Sequence, residues 1–240
     1  PIFKEALKFA DARMWLEAER EVQKIDNRSA RLLITWLRLR EGDGKFWEYQ
    51  EFLQHNTNWP GLALLKFKGE HLIDVSVSPE AVISYFQDTA PETGHGALML
   101  SFAFEELGYY EKANDAIKNS WLKHSYSDDD FNTILSKFGS YLDAYNEARI
   151  ENLLWNRQDR AAQQMIHLIN DSRRGVLQVR IALQAEASGV DAMIAELSKN
   201  ELNDPGLAYD RFQFRRNRQF FKRAEELLVK RSKSKETLGR

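Results

Sequence analysis

The 240-residue sequence predicts an all-α protein, an irregular α-superhelix (solenoid) of tetratricopeptide-like helical hairpins. Three observations predict it. The five prolines, Pro1, Pro60, Pro79, Pro91 and Pro205, fall at the chain start or where an apolar-periodic segment begins, where helices tolerate proline's fixed φ and missing amide. Apolar residues recur at three- and four-residue steps along most of the chain. Leu107-Gly108-Tyr109-Tyr110-Glu111-Lys112-Ala113 reads as a hairpin loop in which glycine turns the chain, tyrosine packs back and alanine lets the returning helix approach.

Ile2 to Met14 and Trp15 to Ile25 form an opening pair, the second with Trp15, Ala18 and Val22 on one face. Three helices follow between Arg31 and Ile73. In the first, Leu32, Leu33, Trp36, Leu37 and Leu39 make a broad apolar face, and Arg31, Arg38 and Arg40 are expected to look outward. Glu41-Gly42-Asp43-Gly44 ends it, glycine supplying the left-handed closure and aspartate the next cap. Phe46, Tyr49 and Leu53 begin a second stripe. Asn58-Trp59-Pro60-Gly61 is read as the start of the third helix with Pro60 in its first turn, and Gly69 as the site of a close helix crossing.

Val75-Ser76-Val77 is too short to propose a sheet. Ser78-Pro79-Glu80 caps a helix through Phe86, and Pro91-Glu92 introduces a central helix on which Leu98, Phe102 and Leu107 recur. A helix is expected from Tyr141 to Trp155. The hairpin loop has related versions at Asn156 to Ala162 and at Asn217 to Ala224. Intervals of 48 and 63 residues between Ala113, Ala161 and Ala224 exclude a regular repeat. Asn58 to Ala63 and Asn203 to Ala208 echo each other as helix entries. One domain over residues 1–240 is expected, with a possible subdivision into 1–75 and 76–240.

Hydrophobic content of 43% and aromatic content of 12% exclude disorder, and no run approaches a membrane span. The absence of cysteine excludes disulfides and thiolate chemistry. The net charge of −2 is uneven: Arg211 to Arg240 carries eleven Lys and Arg against three Glu, a local +8 that leaves −10 on the rest. That acidic remainder argues against a dedicated nucleic-acid binder.

Several segments in one order, WLRLR, the Gly-Asp-Gly break, NWPGLALL, SPEAVISYF, APETGHG, LGYYEKA, LLWNRQDRAA and DPGLAYDRFQFRR, resemble the helical superhelix of the soluble lytic murein transglycosylases. The resemblance implies a bacterial periplasmic protein acting on peptidoglycan, this chain supplying the noncatalytic helical part and a C-terminal catalytic domain lying beyond it. In that family one glutamic acid protonates the glycosidic oxygen and the sugar's 6-hydroxyl closes to a 1,6-anhydro product. The catalytic domain marks that residue with Glu-Ser and a Gly-Leu-Met-Gln segment, and neither Glu-Ser nor Met-Gln occurs in this sequence. A start at Pro1 suggests a chain processed or excised from a longer one.

No catalytic, cofactor or metal site is therefore expected. The five histidines, His55, His71, His95, His124 and His167, lack metal-ligand spacing. Thr93-Gly94-His95-Gly96 reads as a helix entry, Asp128-Asp129-Asp130 as an acidic first turn, and Ala144-Tyr145-Asn146 as a chance match to a catalytic-domain tripeptide. The one candidate recognition surface is the stretch where Arg211, Arg215, Arg216 and Arg218 interleave with Phe212, Phe214, Phe220 and Phe221. It would meet glycan strands or the protein's own catalytic domain, or else be a terminal hairpin whose phenylalanines are core and whose arginines pair with neighbouring acids. A free-standing helical-repeat adaptor for a protein segment is the alternative function.

Overall fold

The computed structural model describes residues 2–87 and 89–231, and no strand occurs among them. The contacts divide the chain into two compact units, Pro1–Ser120 and Trp121–Arg240. The expected subdivision after residue 75 is crossed by one hydrophobic core running from Leu39 to Ala103, so the division falls at the last residue of a helix instead.

The first unit comprises α1 (Ile2–Asp11), α2 (Trp15–Gln23), α3 (Arg28–Glu41), α4 (Phe46–His55), α5 (Leu62–Glu70), α6 (Pro79–Phe86), α7 (Gly94–Glu106) and α8 (Tyr110–Trp121) except its last residue, Trp121, which belongs to the second. In the second, α9 (Asp128–Leu142), α10 (Asn146–Trp155), α11 (Asp159–Met165), α12 (Asp171–Gln184), α13 (Val190–Ala195), α14 (Pro205–Asn217) and α15 (Phe221–Arg231) follow, with single 3-10 turns before α10, α12 and α14. Helices pack mainly on sequence neighbours, α1 on α2, α4 on α5, α6 on α7, α10 on α11 and α14 on α15, so the all-α class and the hairpin arrangement are as the periodicity predicts.

One loop recurs four times. Arg13, Gly108, Arg157 and Gln219 each adopt left-handed φ between 57° and 79°. In each copy the next amide donates to a carbonyl one turn back: Met14 to Phe9, Tyr109 to Phe104, Gln158 to Leu153 and Phe220 to Arg215, at 2.7–2.9 Å. This doubly closed helix end starts the next helix at once. The fifth residue after the left-handed one is Ala18, Ala113, Ala162 or Ala224, all 0–3% exposed. The matching alanine of the third copy is thus Ala162 rather than Ala161. The first copy, at Arg13, escapes the sequence reading; like those at Arg157 and Gln219, it carries no glycine.

α3 is buried on two sides. Leu32, Trp36 and Leu39 join the core of α4 to α7, while Ala30, Ile34 and Leu37 join the core of α1 and α2. Gly42 closes it at φ 89°. Lys45, not Asp43, caps α4, and the Glu48 carboxylate accepts the Lys45 amide at 2.9 Å. Pro60 precedes the true cap of α5, Gly61 at φ 71°, and its carbonyl accepts the Trp36 indole N–H at 2.9 Å. Gly69 does mark a close crossing: a Cβ there would lie 2.9 Å from that of Tyr49 and overlap the Tyr85 hydroxyl.

Glu70 is fully buried and accepts the Glu92 amide, the Thr93 amide and the Thr93 hydroxyl at 2.7–2.8 Å, which places a carboxylate at the start of α7. Burial pushes its carboxyl above the usual glutamate range, against those donors and Lys66. Thr93 caps α7 by accepting the Gly96 amide. The buried side of α7 is Ala97, Leu98, Leu100, Ser101 and Ala103, whereas Phe102 is half-buried and Leu107 exposed, contrary to expectation.

The second unit holds two buried arginines. Arg149 lies 4.2 Å over the Trp121 ring and donates to the carbonyls of Trp121 and His124. Burial lowers its guanidinium to about 10, which Tyr126 only partly opposes. Arg180 donates to Asp210 at 2.8 Å and to Glu151 at 2.6 Å, and Gln184 completes the cluster on Asp210. The expected helix from Tyr141 to Trp155 is broken, α9 ending at Leu142 and α10 starting at Asn146, whose buried side chain accepts the Trp121 indole N–H at 3.1 Å.

Candidate functional site

The site-like concavity lies in the first unit, between α3 and α4 with α2 as its third wall. Residues 28, 31, 35 and 38 share one face of α3 by three- and four-residue spacing, so Arg28, Arg31, Thr35 and Arg38 form one bank. Trp47, Glu51 and His55, four apart on α4, form the other. Glu19, Val22, Gln23, Leu32, Glu48, Phe52 and Asn56 complete a cavity of about 540 Å³. Trp47 is 57% exposed because the apolar stripe of α4, Phe46, Tyr49 and Leu53, faces the core and leaves position 47 to one side.

Arg38 does not look outward as expected. Its side chain is 12% exposed, donating to Glu19 at 2.7 Å, to the Asp43 carbonyl at 2.7 Å and to both oxygens of Glu48. Burial alone would raise Glu48, but the Arg38 hydrogen bond, the Lys45 amide and their charges outweigh it and hold the carboxyl below the usual glutamate range. Arg31 is held by the Ile25 carbonyl at 2.8 and 3.1 Å and by Asp26. Arg28 and Glu51 make no side-chain hydrogen bond or ion pair among the described residues, so both are available to a ligand. His55 shares its Nδ1 proton with the Glu51 carbonyl at 2.9 Å, which leaves Nε2 as an acceptor.

A second, more open concavity of about 580 Å³ adjoins the first and shares Arg38 and Glu48 with it. Trp15, Lys45 and the Arg13–Glu41 ion pair at 2.6 Å line it.

The C-terminal arginines are partly committed. Arg215 donates to the Arg223 carbonyl at 2.7 Å, and Arg218 donates to the Glu186 carbonyl at 3.0 Å while lying 4.4 Å over Phe214. Arg211 and Arg215 meet with Arg223, Phe214 and Phe220 at a small cavity of about 40 Å³, which Arg216 and Arg218 do not line. Phe220 and Phe221 are 50% and 62% exposed, not core. Residues 232–240, the rest of the basic tail, lie outside the described residues.

His71 packs edge-on against Phe67, His167 against Phe131, and His95 bonds the Ile73 carbonyl at 2.8 Å. Among the described residues no cluster of His, Asp and Glu could hold a metal ion. Asp128, Asp129 and Asp130 occupy the first turn of α9 behind the Ser127 cap. The buried carboxyls Glu70 and Asp210 line none of the three concavities. No described helix is long and apolar enough to cross a membrane.

Comparison with protein-family models, curated proteins and solved structures returned no match. The α3–α4 groove was not foreseen. Its one trace in the sequence is Trp47, a large aromatic set off its helix's apolar stripe.

Proposed function

We propose that this chain is the noncatalytic helical region of a periplasmic lytic transglycosylase, binding and positioning peptidoglycan glycan strands for a C-terminal catalytic domain that cleaves them to 1,6-anhydromuramyl products. The observation that carries the reading is the α3–α4 groove. It sets an exposed tryptophan opposite a polar bank, on helices fixed by two cores and by the Arg38 ion pairs. The segments quoted above for the resemblance supply the substrate class. Such a groove contributes by holding a strand in place, not by bond-breaking. Co-sedimentation of the chain with purified peptidoglycan tests it: binding without clearing of a peptidoglycan gel is the expected result, and clearing by the chain alone would refute the noncatalytic assignment.

A second reading, an adaptor for a protein segment, is favoured by exposed Phe220 and Phe221 beside Arg211 and Arg215. The same surface would serve contact with the catalytic domain. Recovery of one specific protein and no peptidoglycan would favour the adaptor.

A further inference from the structure

We propose that the α3–α4 groove recognises the uncharged sugar backbone of its polymer, acetamido-sugar units stacked on Trp47, and not charged substituents on that backbone. This rests on the peptidoglycan-binding reading and names the part of the polymer that the site contacts.

Charge balance is the first argument. Three arginines and three glutamates line the groove, and Arg38, Glu19 and Glu48 are bound to one another while Arg31 is held at Ile25 and Asp26. What remains is Arg28 and Glu51, one charge of each sign, so the groove exerts no net pull on an anion.

Hydrogen-bond type is the second. Arg28 offers donors only, Glu51 and His55 Nε2 offer acceptors, and Thr35 and Asn56 offer both. A carboxylate or phosphate needs donors alone. Hydroxyl and acetamide groups need the mixture.

The third is the platform. Trp47, 57% exposed, lines a cavity whose size, about 540 Å³, suits a small ligand segment. An indole accepts the apolar face of a pyranose by area and dispersion, without any ionic requirement.

The test is calorimetric titration of the full chain with peptide-free N-acetylglucosamine oligosaccharides and with muropeptides carrying their stem peptides, at low and high salt. Both ligands bind with similar affinity, and raising the salt changes either by less than about twofold, since exposed charge attraction is what salt screens. Trp47→Ala weakens binding roughly tenfold or more, as loss of an aromatic contact would, while Trp47→Phe retains most of it. Thermal unfolding of both variants stays near wild type, Trp47 being exposed. Binding that requires the stem peptide, falls steeply with salt or ignores Trp47→Ala overturns the inference. If intact peptidoglycan still sediments with the chain, the functional reading stands without it. If nothing binds, the functional reading falls as well.

Discussion

The Arg180 guanidinium occupies the space beside Gly206 that any side chain at position 206 would need. Gly206 follows Pro205 at the start of α14, in the segment that echoes the Pro60-Gly61 helix entry. Its role is different: Gly61 supplies a left-handed cap, whereas Gly206 is helical and makes room for a buried charge. Gly96 stands in the same relation to Glu70 in the first unit.

Gly206→Ala therefore displaces a guanidinium already bonded to Asp210 and Glu151. Disturbing a buried pair so well enclosed costs about 3 kcal/mol or more. Urea denaturation should show a loss of that size.

Among the described residues Arg149 forms no ion pair, and it stays in place by stacking on Trp121 and bridging two carbonyls. A lysine cannot stack as a plane on the Trp121 ring. Arg149→Lys should lower stability by about 1–2 kcal/mol, the worth of a desolvated cation–aromatic stack, and change the near-ultraviolet dichroism of Trp121.

The repeated loop gives a paired prediction. Gln219 holds left-handed φ without glycine's freedom, and Gly108 holds it with that freedom. Gln219→Gly should gain a few tenths to about 1 kcal/mol, and Gly108→Ala should lose about 1 kcal/mol. Thermal midpoints of the two variants, moving in opposite directions, check it.

Glu48 sets a pH dependence. Its folded-state pKa lies below the ordinary value of 4.5, so its ion pair with Arg38 stabilises the fold fully above that value. The contribution is lost as pH falls through the depressed folded value. Denaturant midpoints measured from pH 7 down to pH 3 should fall more steeply for wild type than for Glu48→Gln.

The helices, most of their ends and the hairpin loops were legible because each rests on local chemistry: a capping Ser78, a proline at Pro79 or Pro205, a left-handed glycine at Gly42. What escaped depends on neighbours distant in sequence. Arg38 turns inward because Glu19 and Glu48 await it on other helices. Asn146 starts a new helix at a position where its side chain meets Trp121. The groove needs three helices placed together, which no single period encodes. The C-terminal arginines were visible as a cluster, yet only their surroundings reveal that Arg215 and Arg218 satisfy carbonyls.

Because α3 contributes side chains to two cores at once, the first unit cannot shed its opening helix pair as an independent piece without uncovering Ile34 and Leu37. Opening of α1 and α2 is thereby linked to loosening of the helix that carries one whole bank of the groove. Amide protons in the middle of α3 should exchange with solvent more slowly than any in α1, and a ligand seated against α4 should slow exchange in α1 and α2 without touching α1.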